Sequence, residues 1–195
     1  GAGAFALLGA ESVGPSVGSD LQEKARLAIL FSLLGMGGYI WIRFQLPYGI
    51  GAVVALFHDV LITLSALALT GREINLSTVA ALLTLVGYSV NDTVVVFDRV
   101  RENLKLHRGE ALEGLMDTSI NQTLSRTLIT SGTTLIVVLT LYIFGGDVIN
   151  TFAFVLLVGI LVGTYSSIFI ASPVALWING LLVSRRERKR ATGRR

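Results

Sequence analysis

The apolar residues of this 195-residue chain come in blocks of about 20, and short polar or turn-forming segments separate the blocks. A helix of about 20 residues is long enough to cross a hydrocarbon core of roughly 30 Å. We therefore predict five membrane-spanning helices, at residues 25–42, 46–69, 76–97, 124–144 and 148–177. The predicted fold class is all-α, a polytopic transmembrane helix bundle.

The composition supports a membrane protein and argues against other classes. Hydrophobic residues make up 52% of the chain and charged residues only 15%, which is more apolar than an ordinary water-soluble domain. The chain has no cysteine, which excludes disulfides and thiolate metal sites. Its net charge is +3, but the basic residues flank the apolar blocks, so we expect membrane topology to explain them and expect no nucleic-acid partner.

The distribution of lysine and arginine orients the predicted helices. Because the number of spans is odd, the two chain ends must lie on opposite sides of the membrane. One side carries Arg43 and the basic residues of segments 99–108 and 185–195, whereas the other carries only Arg72, Lys24 and Arg26. The positive-inside rule then predicts a cytoplasmic C-terminus and an outward-facing N-terminus. We interpret residues 178–195 as a basic cytoplasmic tail that binds anionic lipid, with contact to the ribosome or to nucleic acid as the alternative.

Two further segments lie outside the predicted spans. Residues 98–123 have apolar positions near helical spacing between charged ones, which predicts one or two short helices at the cytoplasmic interface. Residues 1–24 are predicted to be the tail of an extracytoplasmic domain, with an exposed loop at 11–20. The chain has neither an initiating Met nor the basic start of a signal peptide, so we expect it to be part of a larger protein whose remainder lies on the outer face.

The strongest functional signal is the presence of ionisable residues within the predicted spans, namely His58, Asp59, Asp92 and Arg126. An ionised side chain at the bilayer centre costs about 2.5 to 3.5 kcal/mol, so such residues face protein or a water-filled cavity. Around Asp92 and Arg126, further polar residues continue along one face of each predicted helix. We call these two polar faces seams and expect them to face each other. The first seam holds Tyr88, Asn91 or Asp92, and Val95; the second holds Arg126, Thr130 and Thr133, with Thr127, Ser131 and Thr134 alongside.

Removing a carboxylate and a guanidinium from water costs free energy, and their mutual attraction offsets this cost only if the two groups meet. Burial disfavours the ionised form of Asp92, whereas an approaching Arg126 favours it, so a change in their separation would release or take up a proton. The predicted proton pathway contains Asp92, Arg126, Thr130 and Asp59, and the supporting polar residues are His58, Asn91, Ser89, Tyr88 and Thr93. The alternative is a static ion pair that fixes helix packing and, at Asp59, a static hydrogen bond to His58.

Small residues in the last predicted span form a second pattern. Gly159, Gly163 and Ser167 are spaced by four, which favours close helix packing. The chain contains no phosphate-binding GxxxxGK[ST] loop, no HExxH motif, no nucleophile elbow and no metal-binding His or Cys spacing. We therefore expect a protein that is not an enzyme and that has no metal site.

The residues at 86–103, VGYSVNDTVVVFDRVREN, closely resemble the signature of SecF proteins in the SecD/SecF family. Three further motifs agree in order: VGPSVG at 13–18, LFHDV at 56–60 and NQTLSRT at 121–127. The resemblance implies one half of an RND-type membrane domain, which has six helices and a soluble extracytoplasmic domain between the first two. Because the first helix and most of that domain are absent here, we expect a portion of SecF or of a fused SecD–SecF polypeptide.

The resemblance also implies a function and a set of partners. SecD and SecF together use the proton-motive force to promote protein translocation across the bacterial inner membrane, with protons as the coupling ion and no cofactor. The implied partners are SecD, the SecYEG channel, YajC, YidC, the translocating preprotein and membrane lipid. Asp92, Arg126 and Thr130 match the family's proton pathway. The alternatives are another RND-type proton-coupled exporter of small solutes, and a passive scaffold that holds the translocation machinery together.

Overall fold

The chain folds into long helices, and the fold class predicted from the sequence is confirmed. A computed structural model describes the backbone of residues 15–107 and 109–192, and the side chains of 23–107 and 109–185. The helices are α1 (Pro15–Arg43), α2 (Leu46–Leu69), α3 (Leu76–Leu106), α4 (Leu112–Phe144), α5 (Gly146–Ser166), a π-helical turn (Ser167–Ala171) and α6 (Ser172–Thr192). No strand occurs in the described ranges. Within the part of the chain that the structure describes, five helical stretches are long and apolar enough to cross a membrane: Glu23–Arg43, Leu46–Leu69, Leu76–Leu106, Leu112–Phe144 and Gly146–Arg185.

Local chemistry explains where these helices begin and end. The side chain of Asn75 accepts a hydrogen bond of 2.9 Å from the backbone N–H of Thr78 and so caps the start of α3. The chain reverses between α4 and α5 at Gly146, whose φ of +71° is accessible to glycine at little cost. The same holds for Gly71, with φ +64°, in the turn that follows α2.

The prediction of separate interfacial helices in residues 98–123 is wrong. Residues up to Leu106 continue α3, and α4 already begins at Leu112, so a short turn joins two continuous helices. Their facing sides explain this continuity, because the amide of Asn103 donates to the hydroxyl of Ser119 at 2.8 Å and to Gln122 at 3.0 Å. At 31 and 33 residues, each helix is about 45–50 Å long and exceeds a hydrocarbon core of roughly 30 Å.

The two ends of the described chain also differ from their predicted form. Residues 15–20, predicted to belong to an exposed loop, are helical and belong to α1. Residues 1–14 lie outside the described part. The basic tail begins within α6, which continues to Thr192; its side chains from 186 onward, like residues 108 and 193–195, lie outside the described residues.

Helix α3 lies near the centre of the bundle and packs against α1, α2, α4 and α5, with its most extensive contact on α5. Small residues allow this contact: a Cβ atom at Gly159 would overlap the side chain of Leu85, and one at Gly163 would lie 3.2 Å from the Cβ and Oγ atoms of Ser89. By contrast, large apolar side chains on α1 and α4, such as Phe31, are exposed.

Candidate functional site

Asp92 lies on the inner face of α3, and its side chain is only 3% exposed. The hydroxyl of Ser131 on α4 donates to its Oδ2 atom at 3.2 Å. The hydroxyl of Thr164 on α5 lies 2.9 Å from Ser131 Oγ and can donate its one proton either to that oxygen or to the carbonyl of Ile160 at 2.8 Å. A chain of two hydroxyls therefore leads from α5 through α4 to the carboxylate on α3.

Arg126 does not form an ion pair with Asp92 among the described side chains. It is exposed, yet its guanidinium is close enough to interact electrostatically with the carboxylate. The space beside it is a cavity of about 440 Å³, lined by Val94, Val95, Asp98, Arg99, Glu102, Gln122, Thr123 and Arg126. In this state the two predicted partners do not form an ion pair, and Arg126 lines a cavity that can hold water.

The face of α4 that meets α3 is only partly the predicted one. Arg126 lines the cavity beside α3, but Thr130 and Thr133 are exposed, so the expectation that these two threonines face Asp92 is wrong. The hydroxyl of Thr130 donates to the carbonyl of Arg126 within its own helix. The buried polar stripe of α4 instead consists of Ser119, Thr123, Thr127 and Ser131.

Asp59 forms the centre of a second polar cluster and is fully buried. Its Oδ2 atom accepts hydrogen bonds from Ser89 of α3 at 2.5 Å and from Ser166 of α5 at 2.7 Å. Its Oδ1 atom lies 3.0 Å from the Nδ1 atom of His58, the residue before it on α2. One carboxylate therefore connects α2, α3 and α5.

Three supporting residues on α3 occupy different environments. The hydroxyl of Tyr88 is buried and has no hydrogen-bond partner within the described residues. Thr93 is buried and its hydroxyl donates to the carbonyl of Ser89 at 3.4 Å. Asn91 is exposed, so it is Asp92 of this adjacent pair that faces the protein interior.

Residues 2–180 match the family described as protein export membrane protein SecD/SecF, C-terminal. The chain belongs to this family.

Its relatives in the SecD/SecF family include two proteins called protein translocase subunit SecF. The one from Koribacter versatilis is 57% identical over 87% of this chain and 42% of its own length. The one from Desulfurispirillum indicum is 57% identical over 86% of this chain and 54% of its own length. The chain thus spans about half the length of these relatives.

A solved structure of SecDF from Thermus thermophilus, described as a translocon-associated membrane protein, has the same fold. It superimposes with a TM-score of 0.81 at 46% identity and covers 86% of this chain and 23% of its own. SecDF in a form called super-membrane-facing gives a TM-score of 0.78 at 42% identity, covering 93% of this chain and 24% of its own. The five-helix arrangement is therefore that of a SecD/SecF membrane domain.

Sequence reasoning missed two of the hydroxyl groups that the fold brings to the acidic residues. Thr164 and Ser166 lie in an apolar helix beside the small-residue stripe, and nothing in their spacing distinguishes them from packing residues. The sequence pattern places Ser131 only beside the Arg126 seam. A signal for it does exist, since Ser119, Thr123, Thr127 and Ser131 recur at intervals of four, the spacing of one helix face.

Proposed function

We propose that this chain is the SecF-type membrane portion of the bacterial Sec export machinery, and that it helps convert the proton-motive force into protein translocation. The observation that carries the proposal is the buried carboxylate of Asp92, bonded to the Ser131–Thr164 hydroxyl chain and neighboured by the guanidinium of Arg126. The names of the relatives, translocase subunit SecF and translocon-associated SecDF, support the same role.

The proposed mechanism uses the charge of Asp92 as a switch. When Asp92 is ionised, it attracts the fixed positive charge of Arg126, which lines a cavity between α3 and α4. When it takes up a proton, that attraction disappears and α3 and α4 can separate. A potential of 100 mV supplies about 2.3 kcal/mol per elementary charge, enough to bias a two-state membrane domain by roughly fiftyfold.

The roles of the other predicted pathway residues differ within this mechanism. Ser131 and Thr164 can relay the proton, because each hydroxyl both donates and accepts. Thr130, whose hydroxyl is bonded to its own helix, lies on the exposed face beside Arg126, where a water or a partner helix would reach it. Asp59 belongs to the separate cluster with Ser89.

The proposal includes the assembly in which this portion works. Its partners would be SecD, the SecYEG channel, YajC, YidC and the translocating preprotein, in contact with membrane lipid. Its N-terminus would face outward and its C-terminus the cytoplasm, as the distribution of basic residues predicts. It would act as a transport subunit without enzymatic chemistry of its own, with protons as the coupling ion.

The test uses the complete export complex in vesicles that carry a proton gradient. We expect Asp92→Asn to abolish the gradient-dependent part of protein export while the complex assembles normally. The matched control is Asp117→Asn, which neutralises an exposed carboxylate on α4 and should leave export unchanged. Normal export by Asp92→Asn would refute the relay. Loss of the assembled complex in that variant would instead favour a scaffold.

A further inference from the structure

The Asp59 cluster and the Asp92 site share two helices, α3 and α5. Ser89 precedes Asp92 by three residues on α3, and Ser166 follows Thr164 by two residues on α5. Each of these distances along the chain is one helical turn or less. The hydrogen bonds to Asp59 therefore hold α3 and α5 together at the level where Thr164 reaches Ser131 and Ser131 reaches Asp92.

The hydrogen bonds around Asp59 leave its oxygen atoms no access to water. Both serine hydroxyls donate to the same oxygen, Oδ2, while His58 lies at Oδ1, and the residue is 0% exposed. Two donors on one oxygen match the free lone pairs of a carboxylate or of an amide carbonyl. Both oxygen atoms of Asp59 therefore have partners within the protein, whereas among the described residues only the Oδ2 atom of Asp92 has a hydrogen-bond partner, Ser131.

The helices around the Asp59 cluster are so closely packed that their backbones cannot shift freely if the cluster is altered. Gly163 lies so close to α3 that a Cβ atom would come within 3.2 Å of Ser89. The π-helical turn begins at Ser167, directly after Ser166, and a Cβ atom at Gly51 of α2 would lie 2.5 Å from the carbonyl oxygen of Ala171 in this turn. Because π-helical turns are uncommon and occur frequently at functional sites, we connect this irregularity with the placement of Ser166.

We infer that Asp59 is a positioning residue for proton binding at Asp92: by holding Ser89 and Ser166 it keeps α3 and α5 at the spacing that brings Ser131 and Thr164 to the Asp92 carboxylate. In this role Asp59 carries no transported proton. The inference rests on the proposed function, in which Asp92 is the residue that is protonated and deprotonated.

The decisive comparison is between Asp59→Asn and Asp59→Leu in the complete complex. An asparagine keeps one carbonyl oxygen for both serines and an amide for His58, but it cannot carry a proton. A leucine of similar size removes every hydrogen bond. We expect Asp59→Asn to retain most gradient-dependent export. We expect Asp59→Leu to export at least about tenfold more slowly, because a small displacement of the groups that exchange the proton lowers the rate by about this factor. If Asp59→Asn abolishes export as Asp92→Asn does, Asp59 is a proton carrier and the inference is wrong.

A spectroscopic measurement separates positioning from general damage to the fold. The infrared carbonyl band of protonated Asp92, identified by its loss in Asp92→Asn, is titrated in each variant. We expect its midpoint to be that of the native complex in Asp59→Asn and to shift in Asp59→Leu. An unchanged midpoint in Asp59→Leu would overturn the inference, because the Asp92 site would then not depend on Asp59.

A second pair of variants keeps the test informative if Asp59→Leu does not fold. Gly163→Ala presses on Ser89 without changing any polar group, whereas Gly87→Ala adds the same methyl to α3 in open space. We expect the Asp92 band to shift in Gly163→Ala and not in Gly87→Ala. Equal behaviour of the two would contradict the inference. These shifts do not require export, so they remain measurable even if Asp92→Asn proves that the proposed function is wrong.

Discussion

Arg72 offers a sharp test of how the bundle is held together at the end opposite to Arg43. It lies in the turn after α2, and its guanidinium donates to Asn150 at 2.7 Å and to Thr151 at 3.3 Å, both on α5. It also donates to the hydroxyl of Tyr142 on α4 at 3.3 Å. The same group lies 4.4 Å from the centroid of the Phe154 ring. One side chain therefore joins three segments of the bundle.

The contacts of Arg72 allow the expected loss of stability to be worked out. Each hydrogen bond contributes about 0.5–1.5 kcal/mol net. The interaction with the Phe154 ring adds about 0.5–1 kcal/mol at a partly exposed site. Since two of the three hydrogen bonds are long and the group is partly in contact with solvent, we expect Arg72→Ala to lower the free energy of unfolding by about 2–3 kcal/mol.

The assay is thermal unfolding of the purified protein in detergent or nanodiscs. For a chain of this size, a loss of about 2–3 kcal/mol corresponds to a fall in Tm of roughly 4–12 °C. Arg72→Lys keeps the charge but not the planar fork, and should fall between the native protein and Arg72→Ala. The control is Arg26→Ala, which removes an exposed arginine of α1. If Arg72→Ala and Arg26→Ala unfold at the same temperature, the contacts described for Arg72 do not stabilise the bundle.

Three further predictions concern other contacts of α3. Gly159→Ala should lower the free energy of unfolding by about 1–3 kcal/mol, because the added methyl overlaps the fully buried Leu85 side chain. In the double variant Leu85→Ala should relieve that loss, and additive losses in thermal unfolding would contradict the overlap. Ser131→Ala should slow gradient-dependent export at least about tenfold, because a hydrogen bond to a charged group contributes about 1.5–3 kcal/mol. The complex should still assemble, and export at the native rate would exclude this hydroxyl from the relay. Asn103→Ala should expose the turn between α3 and α4 to protease, since the amide joins both helices; unchanged cleavage would mean that apolar packing alone holds them.

The helices and their approximate positions were predictable because membrane insertion is governed mainly by the length and polarity of a segment. The apolar blocks of about 20 residues correspond to the five observed stretches, and the start of α3 follows from Asn75 with Thr78 three residues later. The ends of α3 and α4 were not predictable in the same way. Asn103 stabilises both helices beyond the apolar blocks by contacting Ser119 across the turn, and a contact between two helices leaves no trace in the hydropathy of either one.

The acidic residues of the candidate site were identified from the sequence alone, since a buried carboxylate in an apolar helix is costly wherever it occurs. Their partners were decided by tertiary structure. Helix α4 carries hydroxyls on more than one face, and only its packing angle against α3 turns Ser131 inward and Thr130 outward. Likewise, Ser166 meets Asp59 where the chain after α5 packs closely on α2, as at Gly51 against the carbonyl of Ala171. Hydrophobicity is a property of each segment, whereas the rotation of one helix against another depends on the shapes of both.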